Sequence, residues 1–336
     1  MSIADYMATC LMHPEHGYYA TRDPFGSGGD FTTAPEISQM FGELVGLSLA
    51  QCWLDQGSPN PFVLAEAGPG RGTLMADILR ATTLVSGFHA ALQIHLIETS
   101  PALRDVQRST LKRDDIVWHD TFDTLPGLPL FLCANEFFDA LPIRQVQRAD
   151  IGWQERRIGV KDGELVLGLN EPASFSQLDD RLEETQKGDI VEFCPAGIAA
   201  AETIGQHIVQ HGGTALVVDY GDWRSLGDTF QAVQNHQPIN VLANPGNADL
   251  TAHVDFEAIA MASPSQHSRL TTQGVFLERL GITQRAHALA TKLRGAALES
   301  HIAAHRRLTA PSEMGTLFKV IAFYPEDRTP PPGLEP

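Results

Sequence analysis

The chain has 336 residues, 43% of them hydrophobic, and its 41 acidic against 24 basic residues give a formal net charge of −17. This length and apolar content support a core larger than one small domain, while the charge argues against a nucleic-acid substrate, whose phosphates demand Lys and Arg, and favours a basic protein partner. No apolar run approaches the roughly 20 residues that span a bilayer, and the amino terminus carries neither a signal-peptide core nor an Arg-rich transit pattern, so a cytoplasmic location without membrane insertion is expected.

Ser2 to Leu11 reads as a capped helix. The stretch HPEHGYYATRDPFGSGGDFTTAP that follows is long for a loop, and its aromatics and Gly-rich centre suit either an ordered loop closing over a site or a surface Ω-loop. Ile37 to Gln56 is apolar at helical spacing, which packing explains, and residues 1–56 are taken as an N-terminal cap. FVLAEAGPGRG (Phe62 to Gly72) then predicts a buried parallel strand and a tight turn, followed by a helix over Thr73 to Ala81. Alternating glycines at 68, 70 and 72 let a nucleotide-like ligand approach the main chain at a helix N-terminus. A dinucleotide fingerprint needs glycine at 73, where this chain has Thr73, so a dehydrogenase is disfavoured.

Leu92 to Ile97 predicts a second strand ending in Glu98, with Ser100 and Pro101 opening a helix. A carboxylate there suits the vicinal hydroxyls of ribose, although a solvated loop acid has the same signature. A third short strand within DIVWHDTFDTLP leads to Asp120. The fourth, Leu130 to Ala134, empties into Asn135, Glu136, Phe137, Phe138 and Asp139. Ligands of open α/β sheets bind outside the carboxyl ends of the strands. Glu136 and Asp139 would therefore face a cationic substrate group if the segment turns helically; the alternative is a capping acid and a solvated one.

Residues 143–188 are expected to form an inserted β-hairpin lobe that turns at Lys161-Asp162-Gly163-Glu164. Asp189 to Pro195 reads as another strand and the following run as a helix ending at Gly212. GTALVVDYGD then supplies the fifth core strand, with Asp219 and Tyr220 at its ligand edge. The polar region around 221–262 suits a substrate lid, Val275 to Leu280 and Leu289 to Leu308 read as helices, and Leu317 to Pro325 as a final strand. The core thus covers 57–142 and 189–325, and residues 326–336 are expected to be a disordered tail. Cys10, Cys52, Cys133 and Cys194 are far apart, as in a reducing compartment, and the nearby His13 and His16 lack matching ligands, so no metal is expected.

The acid-x-G-x-G-x-G pattern beginning at Glu66 resembles motif I of class I S-adenosylmethionine (SAM) methyltransferases, in which the acid sits near the cofactor's amino-acid end. With GYYATRDPFGSGGDFTTAPEISQMFGE, ANEFFDALP, VVDYG, DLTAHVDF and MGTLFKVI in order, the chain resembles the MidA family of bacterial and mitochondrial methyltransferases from about Ser2 to Tyr324. The resemblance implies an α/β, Rossmann-like class I fold with a mostly parallel seven-stranded sheet and insertions. For the mitochondrial member it implies symmetric dimethylation of an arginine on a respiratory complex I core subunit.

Carried over by position, Glu66, Gly68, Pro69, Gly70 and Gly72 form the cofactor turn, Glu98 binds ribose, Asp120 approaches adenine and Asn135 joins the same side. Asp30, Phe31, Thr32 and Thr33 belong to the loop that closes on SAM, whose product is S-adenosyl-L-homocysteine. Glu136 and Asp139 are the expected catalytic residues, holding the guanidinium, with Asp219 and Tyr220 second in rank. Two departures stand out: the helix that relatives often carry upstream is absent, and Asn235-His236 replaces a common Gly-His pair. A methyltransferase with another target remains as an alternative, weakened for nucleic acid by NEFF in place of an Asn/Asp-Pro-Pro-aromatic signature. A SAM-binding assembly chaperone is the other.

Overall fold

The computed structural model describes residues 1–21 and 32–336. Asp30 and Phe31, expected in the closing loop, lie outside the described residues. The apolar runs with no polar face become central strands. Every residue of β1 (Phe62–Ala67) is buried, as a strand covered by helices on both faces must be. It pairs in parallel with β2 (Leu92–Ile97), which pairs with β3 (Ile116–His119). On its other side β1 pairs in parallel with β4 (Leu130–Asn135), which pairs with β5 (Gly213–Asp222), and β6 (Phe318–Tyr324) closes this run antiparallel to β5. The order β6-β5-β4-β1-β2-β3 reverses direction at β1, and such a switch point opens a crevice at the carboxyl ends of β1 and β4.

The expected sheet had seven strands; among the described residues it has nine. The additional pieces are two-residue strands: Val254–Asp255 beside β5, and Gln266–His267 and Thr271–Thr272 along β6. They arise because the chain twice runs back along the edge of the sheet before entering a helix. One face of the sheet packs against helices Gln39–Asp55 and Thr73–Ala81 through Phe41, Leu49, Met75 and Ile78. The other packs against Pro195–His211 and Phe256–Ala262 through Ile204, Ile208 and Ile259.

The lobe is a four-stranded antiparallel sheet of Glu164–Leu169, Trp153–Lys161, Arg144–Arg148 and Ile190–Phe193, in that order. Asp162 and Gly163 both have positive φ, 52° and 85°, which suits a tight two-residue hairpin. The lobe was expected to end at residue 188, with the core resuming at 189, but Ile190–Phe193 forms the edge of the lobe sheet. The reason is packing: Val191 and Phe193 join Val146, Trp153 and Leu178 in a small core of their own.

A second antiparallel sheet combines Gln237–Ile239, Gln231–Gln234 and Asp249–Thr251. Its turn is Asn235-His236, both left-handed at φ 51° and 58°. Helix Ile3–Met12 is buried between this sheet and the lobe through Ile3, Met7, Ile158, Ala232 and Leu250. No helix among the described residues is long and apolar enough to cross a membrane.

The carboxyl-terminal segment is docked, against the expectation of a disordered tail. Leu334 is buried in the main core, and Glu335 receives Arg279 in an ion pair at 2.6 Å and the Arg269 N–H at 2.8 Å. Proline-rich composition misleads here, because a chain held by side-chain burial and a few carbonyls needs no ladder of its own N–H groups. Deleting residues 329–336 is expected to cost about 1–3 kcal/mol, read as a lower melting temperature in calorimetry.

Candidate active site

The glycine turn leaves β1 at Ala67 and hands the chain to helix Thr73–Ala81. Gly68 and Gly70 have φ of 62° and 50°, a region that costs L side chains energy. At Gly68 a Cβ would also sit 3.0 Å from the Phe137 ring. Gly72, although expected among the cofactor contacts, turns away from the crevice and packs towards Gln107 and Leu111.

Buried Gln107 joins this turn to the end of β2. Its amide donates to the Gly70 carbonyl at 2.8 Å and to Glu98 Oε2 at 3.3 Å, while its oxygen accepts from the Trp118 indole at 2.7 Å. Glu98 is also buried and accepts from the Ser100 N–H at 2.7 Å. Burial raises its pKa, and the Ser100 hydrogen bond opposes the rise. Asp120 stands at the exposed rim, paired with Arg104 at 2.6 Å.

Glu66 is 3% exposed. Its Oε2 has no hydrogen-bond partner among the described residues, and burial pushes its pKa well above the carboxylate range. Asn135 Oδ1 is similarly buried without a partner, while its amide donates to Glu136 Oε1 at 3.1 Å. Buried polar atoms left unpaired are costly. A ligand with an amino group beside Glu66 and a donor within reach of Asn135 would satisfy them.

Beyond β4 the chain kinks at Glu136, a non-glycine residue at φ 52°, and does not enter a helix at once. A left-handed residue of this kind marks stored strain. The kink and the tight turn that follows bring Glu136 and Asp139 to one wall. Glu136 Oε1 accepts from the Ala34 N–H at 3.0 Å, and burial first, opposed by that bond and helped by nearby Asp139, raises its pKa to about 8.

Asp219 does not reach the wall. Fully buried behind it, Asp219 accepts from the N–H groups of Phe138 at 3.0 Å, Asp139 at 3.2 Å and Tyr220 at 2.9 Å, so it positions the turn. Tyr220 does line the wall beside Asp139, whose Oδ1 is buried without a hydrogen-bond partner among the described residues; burial first, and then the Asp139 charge, push the Tyr220 pKa up. Asp139 and Asp219 both have raised pKa values, burial being the first cause in each.

These groups surround one cavity of about 740 Å³. Glu66, Gly68, Pro69, Gly70, Glu98, Asp120, Asn135, Glu136, Asp139 and Thr33 all line it, whereas Thr32 does not. Residues absent from the expected set also line it, notably Tyr19, Asp249, Thr251 and His253. Tyr19 donates to Asp249 Oδ1 at 3.0 Å, so the aromatic N-terminal stretch and the small second sheet meet here. Tyr19 had a signal in its aromatic neighbourhood. Asp249 and His253 stand in DLTAHVDF, one of the motifs that carry the family resemblance, but nothing local places them at the cavity; the pairing of distant short strands brings them in.

Comparison with known proteins agrees with this geometry. A family described as S-adenosyl-L-methionine-dependent methyltransferases matches residues 44–275. The chain is 35% identical to the mitochondrial protein arginine methyltransferase NDUFAF7 of Xenopus laevis, over 98% of this chain and 82% of that one. It is 33% identical to the Homo sapiens protein of the same name, over 98% and 81%. A crystal structure from Burkholderia thailandensis, bound to S-adenosyl-homocysteine, superposes with a TM-score of 0.81 at 28% identity, covering 96% of this chain and 87% of that one. The chain therefore belongs to the MidA family of class I methyltransferases, and S-adenosyl-L-methionine is its cofactor.

Proposed function

We propose that this methyltransferase modifies an arginine side chain of a protein, with a core subunit of a complex I-type respiratory enzyme as substrate, in a bacterial cytoplasm. The observation that carries the reading is the pair of carboxylates, Glu136 and Asp139, on the cavity wall beside the glycine turn. The names of the relatives support it, as does the acidic balance of the chain. All four cysteines are free, in keeping with a reducing compartment.

In this reading Glu66 meets the cofactor's amino group, Glu98 its ribose hydroxyls, and the main chain at Gly68 and at Gly70 lies against it with no Cβ of its own in the way. Bound there, the cofactor supplies an electrophilic methyl group on a sulfonium. The protein aligns the acceptor and keeps water out. Arginine is a poor nucleophile because its charge is delocalised and its pKa exceeds about 12. Glu136 and Asp139 hold the guanidinium and draw its positive charge away from the attacking nitrogen.

The raised pKa of Glu136 fixes the sign of a pH effect in the ligand-free enzyme. A carboxyl with a folded pKa near 8 and an ordinary unfolded value stabilises the fold at low pH, and the contribution is lost as pH rises through about 8. Melting temperature is expected to fall between pH 6.5 and pH 9, more steeply in the wild type than in Glu136→Gln. Affinity for an arginine peptide should move oppositely, rising over that range as the carboxylate forms. Equal slopes in the two proteins would refute the assignment.

The function itself is tested by transfer of labelled methyl from S-adenosyl-L-methionine into a lysate of cells lacking the enzyme, followed by mass spectrometry. A labelled protein carrying methylarginine supports the proposal. Label confined to small molecules, or cofactor binding with no transfer at all, overturns it.

A further inference from the structure

Methylation of an arginine forms a nitrogen–carbon bond as a sulfur–carbon bond breaks, and the electron pair of the broken bond stays on sulfur. The alkylated nitrogen then carries one proton too many, which must leave if the methylguanidinium is to keep a single positive charge. Glu136 and Asp139 are poorly suited to keep it, since protonating either removes the negative charge that retains the cation.

A different base lines the same cavity. His253 follows strand Asp249–Thr251, and its main-chain N–H is tied to Thr229 Oγ1 at 2.8 Å. Its half-buried ring stands edge-on to Tyr220, with centroids 5.4 Å apart, and its ring nitrogens take no hydrogen bond among the described residues. Tyr220 and Asp139 line the same cavity, so the imidazole borders the acceptor wall without being committed to it.

The titratable groups facing His253 are Tyr220 and Asp222 of β5 and Lys319 of β6. Lys319 is held by the carbonyls of Gly221 at 2.9 Å and Thr316 at 2.8 Å, and Asp222 is exposed, opening the way to water. Burial first and the Lys319 cation second lower the imidazole pKa, with Asp222 opposing, so the ring is neutral near pH 7.

We infer that His253 accepts the proton released by the methylated arginine and passes it to solvent beside Asp222. The inference rests on the arginine reading above. It assigns the cavity a second chemical task, proton removal, carried by the insertion that forms the small second sheet.

The test compares His253→Gln and His253→Ala with the wild-type chain, using S-adenosyl-L-methionine and an arginine-containing protein substrate. At pH 7.5 kcat is expected to fall about 10- to 100-fold, with cofactor affinity and substrate KM within about threefold of wild type. The deficit should shrink as pH rises, and free imidazole should restore part of the rate to His253→Ala. In the ligand-free wild type, NMR should show the His253 ring titrating below an ordinary histidine. An unchanged kcat, or a loss that is independent of pH and insensitive to imidazole, overturns the inference alone. Absence of methylarginine with the wild type overturns the arginine reading and this inference with it.

Discussion

Glu136→Gln is expected to reduce kcat for methyl transfer about a thousandfold while leaving cofactor affinity within a few-fold of wild type. The substitution is nearly isosteric, and the local bonds can survive it. One oxygen of Glu136 already accepts from the Ala34 N–H and the Asn135 amide. A glutamine can keep its oxygen there and turn its NH2 group towards the cavity. An anion facing the acceptor is thereby replaced by a donor, and a guanidinium, which only donates, loses its partner. The strained backbone at φ 52° does not change, so melting temperature at neutral pH should stay close to wild type. Rapid-quench rates and calorimetric titration with the cofactor separate the two effects. Wild-type turnover in this variant would remove Glu136 from the mechanism.

Gly70→Val should give the opposite pattern, losing cofactor binding itself. At φ 50° a β-branched residue meets its own backbone, at a cost of about 1–3 kcal/mol, and its methyl groups enter the cavity that Gly70 lines. The expected results are a drop of at least about 100-fold in S-adenosyl-L-methionine affinity and a melting temperature lowered by several degrees. Gly68→Ala is a graded version, because its single methyl is placed against Phe137 at 3.0 Å and the ring can shift slightly. Near-normal binding in Gly70→Val would show that the turn is not the cofactor's seat.

What could be read before the structure was what lies close together in the chain. The run from Phe62 to Ala81 carries its strand, turn and helix in consecutive residues, and the observed boundaries, Phe62–Ala67 and Thr73–Ala81, follow that reading. The placement of Glu98 and Glu136 at strand ends was legible for the same reason. Contacts made across the sequence were not. Gln107 lies on a helix whose pattern announces only packing, yet it links Gly70 to Glu98. His253 and Asp249 reach the cavity through pairings of two and three residues, too short to leave a periodic signal. Ile190–Phe193 looked like any buried strand, and only its partners reveal which sheet takes it. Composition erred for the C-terminal segment because one buried leucine outweighs the prolines around it.

The short stretch from Thr33 to Glu36 touches both halves of the cavity. The Ala34 N–H binds the Glu136 carboxylate, while Glu36 accepts from the Thr73 hydroxyl at the start of the helix behind the glycine turn. A ligand that moves this stretch from either side alters the surroundings of the other. To the extent that methyl donor and acceptor each displace this stretch, their binding is thermodynamically linked, and whatever factor one applies to the affinity of its partner, the partner must return.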